Sequence, residues 1–253
     1  MKAANNIAAM RALEGKHDGE TGLIVLGGQS GKGWRRPYIE TESSVLIGAN
    51  GVVTQIPQLH YWVFAENLPG DKPMPDYFTA SSVISKTTTL INRGSCCRYD
   101  GPAIAFRRGG KGAYGLGFDV RRYGNALASG KRYRRYETLQ TGADGKPIPH
   151  LIGTVALQCL HLAGILGLKE VHTVGLDLCW RGDHHWYNDP NYTRTNEFWN
   201  EKMFTTYEGL DTLWLFVDTA AWMPTIRDKL AASGLTWIDH SNGLLQKMGV
   251  FYE

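Results

Sequence analysis

The second half of the chain alternates helix and strand in a way that few architectures accommodate. After Pro149, Gly153-Thr154 opens a segment in which Val155, Leu157, Leu160, Leu162, Ile165 and Leu166 fall at helical spacing, and Gly167 supplies a C-terminal stop. Leu168-Lys169-Glu170 then leads into an apolar strand, Val171 to Leu176, with Asp177 at its end. The pattern predicts a further helix over about 207–230, a strand Leu235-Thr236-Trp237-Ile238, and a loop Asp239-His240-Ser241-Asn242-Gly243. Strands that alternate with helices pair in parallel, because a parallel connection needs a long crossover.

The first half supplies more strands with informative ends. Gly22-Leu23-Ile24-Val25-Leu26 runs into Gly27-Gly28-Gln29-Ser30-Gly31-Lys32-Gly33, a strand followed by a glycine loop, as nucleotide-binding α/β folds begin. A P-loop is excluded: the stretch from Gly27 to Lys32 is one residue short of GxxxxGK[ST], and Gly33 replaces the hydroxyl. The dinucleotide fingerprint is excluded too, for want of its third glycine spacing. What remains is a loop whose backbone can approach a phosphate or ribose closely. Ser44 to Gly48 predicts a second strand ending at Asn50, and His60 to Phe64 a third ending near Glu66. In an open α/β sheet such C-terminal strand ends line the ligand crevice, which makes Asn50 and Glu66 site candidates. Asn50 has a second reading, as the turn residue of Asn50-Gly51. Strands are also expected within 81–91 and 102–106, and a short amphipathic helix near Ile7, Met10 and Leu13.

With 253 residues, 43% of them hydrophobic and 20% charged, the chain is expected to build one α/β domain over 1–253, interrupted by an insertion at about 93–145. No apolar run approaches the ~18 residues that cross a bilayer, and the N-terminus lacks a continuous apolar signal region. The expectation is a cytoplasmic protein with no membrane insertion. Cys96, Cys97, Cys159 and Cys179 form no CxxC pair and no metal-ligand spacing. They are read as reduced thiols.

The net charge of +3 hides an uneven distribution. Arg93, Arg98, Arg107, Arg108, Lys111, Arg121, Arg122, Lys131, Arg132, Arg134 and Arg135 crowd one segment, against Asp100 and Asp119. Tyr99, Phe106, Tyr114, Phe118, Tyr123, Tyr133 and Tyr136 are interleaved with them, as are several glycines. Such a segment is either a solvated insertion or a surface for polyanions. In the second reading Arg107, Arg108, Arg121, Arg122, Arg132, Arg134 and Arg135 bind phosphate, and the aromatics stack on bases. A nucleotide diphosphate would satisfy that surface as well as DNA or RNA would.

Four segments, in order, carry a family resemblance. Gly153-Thr154 through Leu166-Gly167-Leu168-Lys169-Glu170-Val171 to Val174-Gly175-Leu176-Asp177 resembles the core shared by bacterial sialyltransferase-like enzymes of the campylobacter type. The flagellin-modifying Maf transferases and the 6-hydroxymethylpterin pyrophosphokinase (MptE-like) proteins carry related versions. Leu26-Gly27-Gly28-Gln29-Ser30 stands where those families have a GNGPS loop, and Leu46-Ile47-Gly48-Ala49-Asn50 where they have a strand ending in Asn. Trp237-Ile238-Asp239-His240-Ser241-Asn242-Gly243-Leu244-Leu245 is similar to their closing NxSPxSLL. Residues 70–145 have no counterpart.

The resemblance implies an α/β, Rossmann-like transferase: a mostly parallel sheet with helices on both faces and a basic, glycine- and aromatic-rich insertion. It implies a nucleotide cradled by Gly27, Gly28, Gln29 and Ser30, with Asn50 on the donor phosphate or ribose, and with Ser241 and Asn242 joining the donor site. Gly153 and Thr154 would contact the donor at a helix N-terminus, where free N–H groups and the helix dipole favour an anion in any case. Asp177 would face the same crevice. The sequence departs from the pattern at Gln29, which bears on base recognition. It also has no His between residues 190 and 235, where those families place a general base.

That gap directs attention to Arg181-Gly182-Asp183-His184-His185-Trp186-Tyr187, which follows a strand end. Imidazole is suited to act as a base near neutral pH, so His184 and His185 are the candidates, with Asp183 or Asp177 orienting them. The alternative is a solvated surface loop. A metal reading of the same four residues is disfavoured, since adjacent histidines are not an i, i+4 ligand pair. Trp180, Trp186 and Tyr187 either stack on a sugar or base or pack locally.

The reading that follows is a glycosyltransferase using a CMP- or UDP-type nucleotide sugar, acting on a hydroxyl of a glycan or, as in phage enzymes, of a modified base in DNA. One alternative is transfer of diphosphate from ATP to a pterin-like alcohol, which alone of these would require Mg²⁺. The other is a nucleic-acid-binding module on a degenerate nucleotide fold.

Overall fold

The computed structural model describes residues 12–35, 44–56, 58–64, 88–92, 103–105, 155–180 and 204–251. Its strands are β1 (Thr21–Val25), β2 (Val45–Ala49), β3 (Tyr61–Phe64), β4 (Thr89–Asn92) and β5 (Ala103–Ala105), followed by helix α1 (Val155–Leu166). Then come β6 (Glu170–Val174), β7 (Phe204–Tyr207), β8 (Leu210–Leu213), helix α2 (Trp214–Ala232), β9 (Thr236–Asp239) and the short helix α3 (Leu244–Lys247). Seven strands form one sheet in the order β5-β4-β3-β2-β1-β6-β9, and every pairing in it is parallel. The architecture is α/β and Rossmann-like. Strand order runs one way from β1 to β5, and β6 then returns to the other side of β1. The sheet therefore has a topological switch point between β1 and β6.

Cα partners in a ladder point to the same side, so the register sorts the sheet into two faces. One carries Ile24, Ile47, Tyr61, Val63, Ile91, Val171 and Trp237, which join the buried residues of α1 and α2 in a single core. Right-handed crossovers put α1 and α2 on this same side, because both connections advance in one direction across the sheet. The opposite face carries Leu23, Val25, Leu46, Trp62 and Val174, also buried. Val52, Val53, Ile56 and Leu59 are buried as well, and Leu59 packs directly on Gly48 of β2. Apolar residues on both faces explain why β1 and β2 read as continuous hydrophobic runs rather than alternating ones. Each such large side chain contributes about 1.5–3 kcal/mol on burial.

α1 ends as expected at Gly167, which takes φ +81°, while Leu168 N–H donates to Ala163 O at 3.2 Å. Gly167 N–H donates to Gly164 O at 3.2 Å, and the carbonyls that follow are met from residues 12–19. Gly15 and His17 N–H donate to Ile165 and Leu166 O at 2.9 and 2.8 Å, and Gly19 N–H donates to Gly167 O at 2.9 Å. These residues form consecutive turns instead of extending the predicted N-terminal helix; Ile7 and Met10 lie outside the described residues.

The helix predicted from residue 207 begins later, at Trp214. Its expected first turns are the hairpin β7–β8, antiparallel, with Tyr207 opposite Leu210. Glu208 and Gly209 form the turn with φ +49° and +73°, the two positive φ values that a two-residue hairpin loop requires. Of the predicted insertion at 93–145, only 103–105 is described, as strand β5. Among the described residues no helix is long and apolar enough to cross a membrane.

Candidate functional site

The loops that follow β1, β6 and β9 meet at the C-terminal edge of the sheet, beside the switch point. The glycine loop after β1 closes over the end of β6. Leu26 N–H donates to Val174 O and Gly28 N–H to Gly175 O, both at 2.9 Å. Ser30 N–H donates to Asp177 Oδ2 at 2.9 Å, the Ser30 hydroxyl donates to Asp177 Oδ1, and the same hydroxyl accepts Gly175 N–H at 3.0 Å. The loop continues as a 3-10 turn, Gln29–Gly33.

Glycine is required at this seam for steric reasons. A Cβ on Gly28 would stand 2.7 Å from Gly175 O and 2.8 Å from the Asp177 carboxylate. Gly175 has φ +80°, and a Cβ there would lie 2.3 Å from Leu26 O. The backbones of the two loops are as close as polypeptide allows.

The loop after β9 is tied to the same place. His240 N–H donates to Thr173 O at 2.8 Å, Leu176 N–H to the Ser241 hydroxyl at 2.7 Å, and Leu244 N–H to Asp177 O at 2.8 Å. The Ser241 hydroxyl in turn donates to Asp239 Oδ1 at 2.8 Å. Thr173 donates to the same oxygen at 2.6 Å and accepts Trp237 Nε1–H at 2.9 Å. Asp239 is 5% exposed, and its Oδ2 is buried without a hydrogen-bond partner. Burial, aided by the nearby Asp177 carboxylate, pushes the Asp239 carboxyl up to about 7, against the three hydrogen bonds that favour its ionised form.

On the other side of the same two strands lies a second polar chain. Glu170 Oε1 is 2.9 Å from His172 Nε2, and His172 Nδ1 is 2.7 Å from His240 Nε2. The two imidazoles are nearly coplanar, 3° apart, with centroids separated by 5.0 Å. His172 is buried, whereas Glu170 and His240 are half-buried. Burial first, and His172 second, hold the His240 imidazole below the usual histidine range.

The structure thus brings together Gly27, Gly28, Gln29, Ser30, Asp177, Ser241 and Asn242. It also changes what several of them do. Asp177, expected to face the crevice as a catalytic group, is 1% exposed, and its carboxylate clamps Ser30. Ser241, expected on the donor, is also 1% exposed, with its hydroxyl spent on Leu176 and Asp239. Gly28 is explained by close packing on the end of β6 before any ligand is considered. Asn50 has φ +48°, its carbonyl accepts Trp62 Nε1–H at 2.8 Å, and it opens a 3-10 turn, Asn50–Thr54. That geometry accounts for Asn at the position, since Asn tolerates left-handed backbone. Gly27, Gln29 and Asn50 are half-buried and Asn242 is exposed, all at the crevice edge of the sheet.

Beyond Asp177 the backbone is strained: Leu178 is buried at φ +52°, an unfavourable value for a branched side chain. Its carbonyl accepts the Thr212 hydroxyl at 2.6 Å, and Trp180 N–H donates to Asp211 O at 2.7 Å, which docks the β7–β8 hairpin beside the site. Trp180 stacks on Phe216 at 5.7 Å, in keeping with local packing. His184, His185, Asp183, Glu66, Gly153, Thr154, Arg107, Arg108, Arg121, Arg122, Arg132, Arg134 and Arg135 lie outside the described residues. Sequence reasoning passed over Glu170, His172, Thr173, Asp239 and His240. Their signal was present as polar residues within otherwise apolar strands.

The chain matches no protein-family model and no curated protein. Among solved structures it is similar to that of a Maf glycosyltransferase from Magnetospirillum magneticum AMB-1, with 12% identity and a TM-score of 0.45. The similarity covers 96% of this chain and 39% of that one, so the chain spans well under half the length of the structure it resembles.

Proposed function

We propose that the protein is a nucleotide-dependent transferase, and specifically a glycosyltransferase that moves a sugar from a CMP- or UDP-type donor to a hydroxyl acceptor. The observation that carries the reading is the reversal of strand order between β1 and β6, with the glycine loop Gly27–Gly33 folded across it. In open parallel sheets that crevice is where nucleotides bind. The loop is tied from beneath by hydrogen bonds to Asp177 and Gly175. A preorganised loop loses little freedom on binding, which favours affinity. Gln29 and Asn242 flank the crevice with amide groups, which can both donate and accept hydrogen bonds to a base, ribose or phosphate.

Transfer to a hydroxyl also needs a proton acceptor and charge compensation for the departing phosphate. The sequence offers His184 and His185 after β6 for the first and the arginines of the 93–135 segment for the second. The same basic and aromatic segment suits a DNA acceptor carrying a hydroxylated base as well as it suits a glycan.

A thermal-shift panel of nucleotides and nucleotide sugars, with and without Mg²⁺, tests the reading. A donor present at 100 times its Kd raises stability by about 2.7 kcal/mol and lifts the melting temperature accordingly. The expected result is a shift with a CMP- or UDP-sugar that does not require the metal. A shift with ATP that depends strictly on Mg²⁺ would favour diphosphate transfer, and a shift with DNA alone would end the transferase reading.

A further inference from the structure

The hydrogen bonds around Asp239 settle where its carboxyl can carry a proton. The Ser241 hydroxyl accepts Leu176 N–H at 2.7 Å, and the Thr173 hydroxyl accepts Trp237 Nε1–H at 2.9 Å. Each hydroxyl is left with its own proton to give, and both protons go to Asp239 Oδ1, at 2.8 and 2.6 Å. An oxygen that accepts two hydroxyl protons is not the one that bears a proton itself. A proton on this carboxyl is therefore confined to Oδ2, the oxygen that is buried without a hydrogen-bond partner.

Ionisation puts charge on that bare oxygen. Asp239 is 5% exposed, and Asp177, whose carboxylate clamps Ser30, is 1% exposed. The Asp177 carboxylate is the charge that acts on Asp239, and a second buried negative charge is opposed by the first. The other charged and titratable groups on the elements around Asp239, among the described side chains, are turned away or far off. Glu170, His172 and His240 lie on the opposite face of the β6–β9 pair. Arg227 and Asp228 of α2 bond to each other, and Arg227 also bonds to Val250 O. Lys32 and Lys247 are exposed.

Water compensates a charge on Oδ2 only if something packed around it gives way. The strands β6 and β9 are joined by a ladder from Glu170 and Thr236 to Thr173 and Asp239. Beyond that ladder, the loop after β9 is tied to the loop after β6 by separate bonds, Leu176 N–H on the Ser241 hydroxyl and Leu244 N–H on Asp177 O at 2.8 Å. Both ties lie beside the two carboxyls, which makes them the place where buried charge is relieved at least cost.

We infer that the loop after β9 is a pH-sensitive catch: held against the end of β6 while Asp239 is protonated on Oδ2, and released when Asp239 ionises. The inference rests on the transferase reading only in calling the neighbouring crevice a donor site; the catch itself needs no ligand. Its direction follows from the carboxyl being pushed up to about 7 from an ordinary 3.8. The closed loop is fully favoured below pH ~4, loses about tenfold in its equilibrium per pH unit on the way to 7, and levels off above.

The test follows the backbone amide exchange of Leu176 and Leu244 by NMR, in the parent and in Asp239→Asn, between about pH 5 and 8 and corrected for base catalysis. Urea melts at the same pH values supply the global unfolding constant. In the parent, both opening constants are expected to rise about tenfold per pH unit up to 7 and to exceed the unfolding constant by about tenfold or more throughout. Asn presents an oxygen to both hydroxyls and cannot ionise, so in Asp239→Asn they are expected to be independent of pH. Opening constants that are flat in the parent, equally steep in the variant, or equal to the unfolding constant overturn the inference. If Asp239→Asn does not fold, the carboxyl ¹³C shift of Asp239 in the parent decides. A midpoint near 7 that coincides with the levelling of both opening constants supports the catch, and a shift constant over the whole range overturns it. A donor screen in which nothing binds ends the transferase reading and leaves each of these outcomes as it stands.

Discussion

The two faces of the β6–β9 strand pair carry polar networks of opposite character. On one, Trp237, Thr173, Asp239 and Ser241 form a closed set, each of these residues at most 5% exposed. On the other, Glu170, His172 and His240 form an open set, buried in the middle and half-exposed at both ends. The two sets are built from neighbours in sequence: His172 beside Thr173, and Asp239 beside His240. Strand periodicity of two sends adjacent polar residues to opposite sides. The closed network fixes where the loops after β6 and β9 stand, and the open one connects the two ends of the sheet. A single strand pair thus carries a sealed polar set on one face and, on the other, one that reaches the surface at both ends.

That separation breaks most completely at the backbone seam which the closed network braces. Gly175→Ala forces a Cβ to 2.3 Å from Leu26 O at φ +80°, and neither backbone can yield without losing the hydrogen bonds around Ser30. The expected cost is above ~3 kcal/mol, combining strain at a left-handed position with a steric clash. Chemical denaturation reads it as a fall in midpoint, and any bound donor loses its loop at the same time.

Thr173→Val is the next largest. It keeps the shape of the side chain but removes one of the two hydroxyl donors to Asp239 Oδ1 and the acceptor of the buried Trp237 Nε1–H. A loss of about 2–3 kcal/mol is expected. Because Thr173 faces away from His172, the side-chain ¹⁵N signals of His172 and His240 should be unchanged in this variant. A change in them would show that the two faces are coupled.

Much of this fold was legible in the chain before any coordinates. The helix ending at Gly167, the strand leading to Asp177 and the glycine loop after β1 all sit where apolar periodicity and turn residues put them. Glycines at 27, 28, 31 and 33 signalled a tight loop, but they could not say whether the close approach was to a ligand or to the end of β6. The structure answers for Gly28, whose missing Cβ makes room for Asp177. Asp177 was legible as a residue at a strand end and illegible as a clamp, since its partner is 147 positions away. Tyr207 to Leu213 falls inside the helix expected over about 207–230. Glu208-Gly209 turns the chain first, and the pairing of β7 with β8 outweighs the local pattern. Glu170 and His172 stand two apart on one strand, so their shared face was readable. Their meeting with His240 depends on which strand lies beside β6, and that is a property of the sheet order.

Asp239→Asn sharpens the comparison through pH. A folded-state carboxyl at about 7, against an ordinary value of 3.8, means that the folded protein binds the proton more tightly than the unfolded chain. Stability from this group is fully present below pH ~4 and is lost as pH rises toward 7, at up to about 1.4 kcal/mol per pH unit. Asn imitates the protonated acid and cannot ionise. Its stability should therefore fall less steeply between pH 4 and 7, and at pH 8 it should exceed the parent by about 1–2 kcal/mol. Urea melts at three pH values measure this, and parallel slopes would mean that Asp239 is ionised throughout.

Glu170→Gln has the smallest effect on stability and the most informative one on titration. Glu170 lies at the open end of its network, with a side chain 38% exposed, and its bond to His172 is partly screened by water. Replacing the carboxylate by an amide that still presents an oxygen to His172 Nε2–H should change stability by no more than about 0.5 kcal/mol. The charge is nevertheless gone from the end of the open network. A proton on His240 is then stabilised less, so its titration midpoint should fall even though the substituted residue lies at the opposite edge of the sheet. A melting temperature that barely moves together with a His240 midpoint that does would separate the open network from the closed one, where Thr173→Val is expected to do the reverse. Equal movement of both quantities in both variants would mean that the two faces of β6 and β9 behave as one polar core.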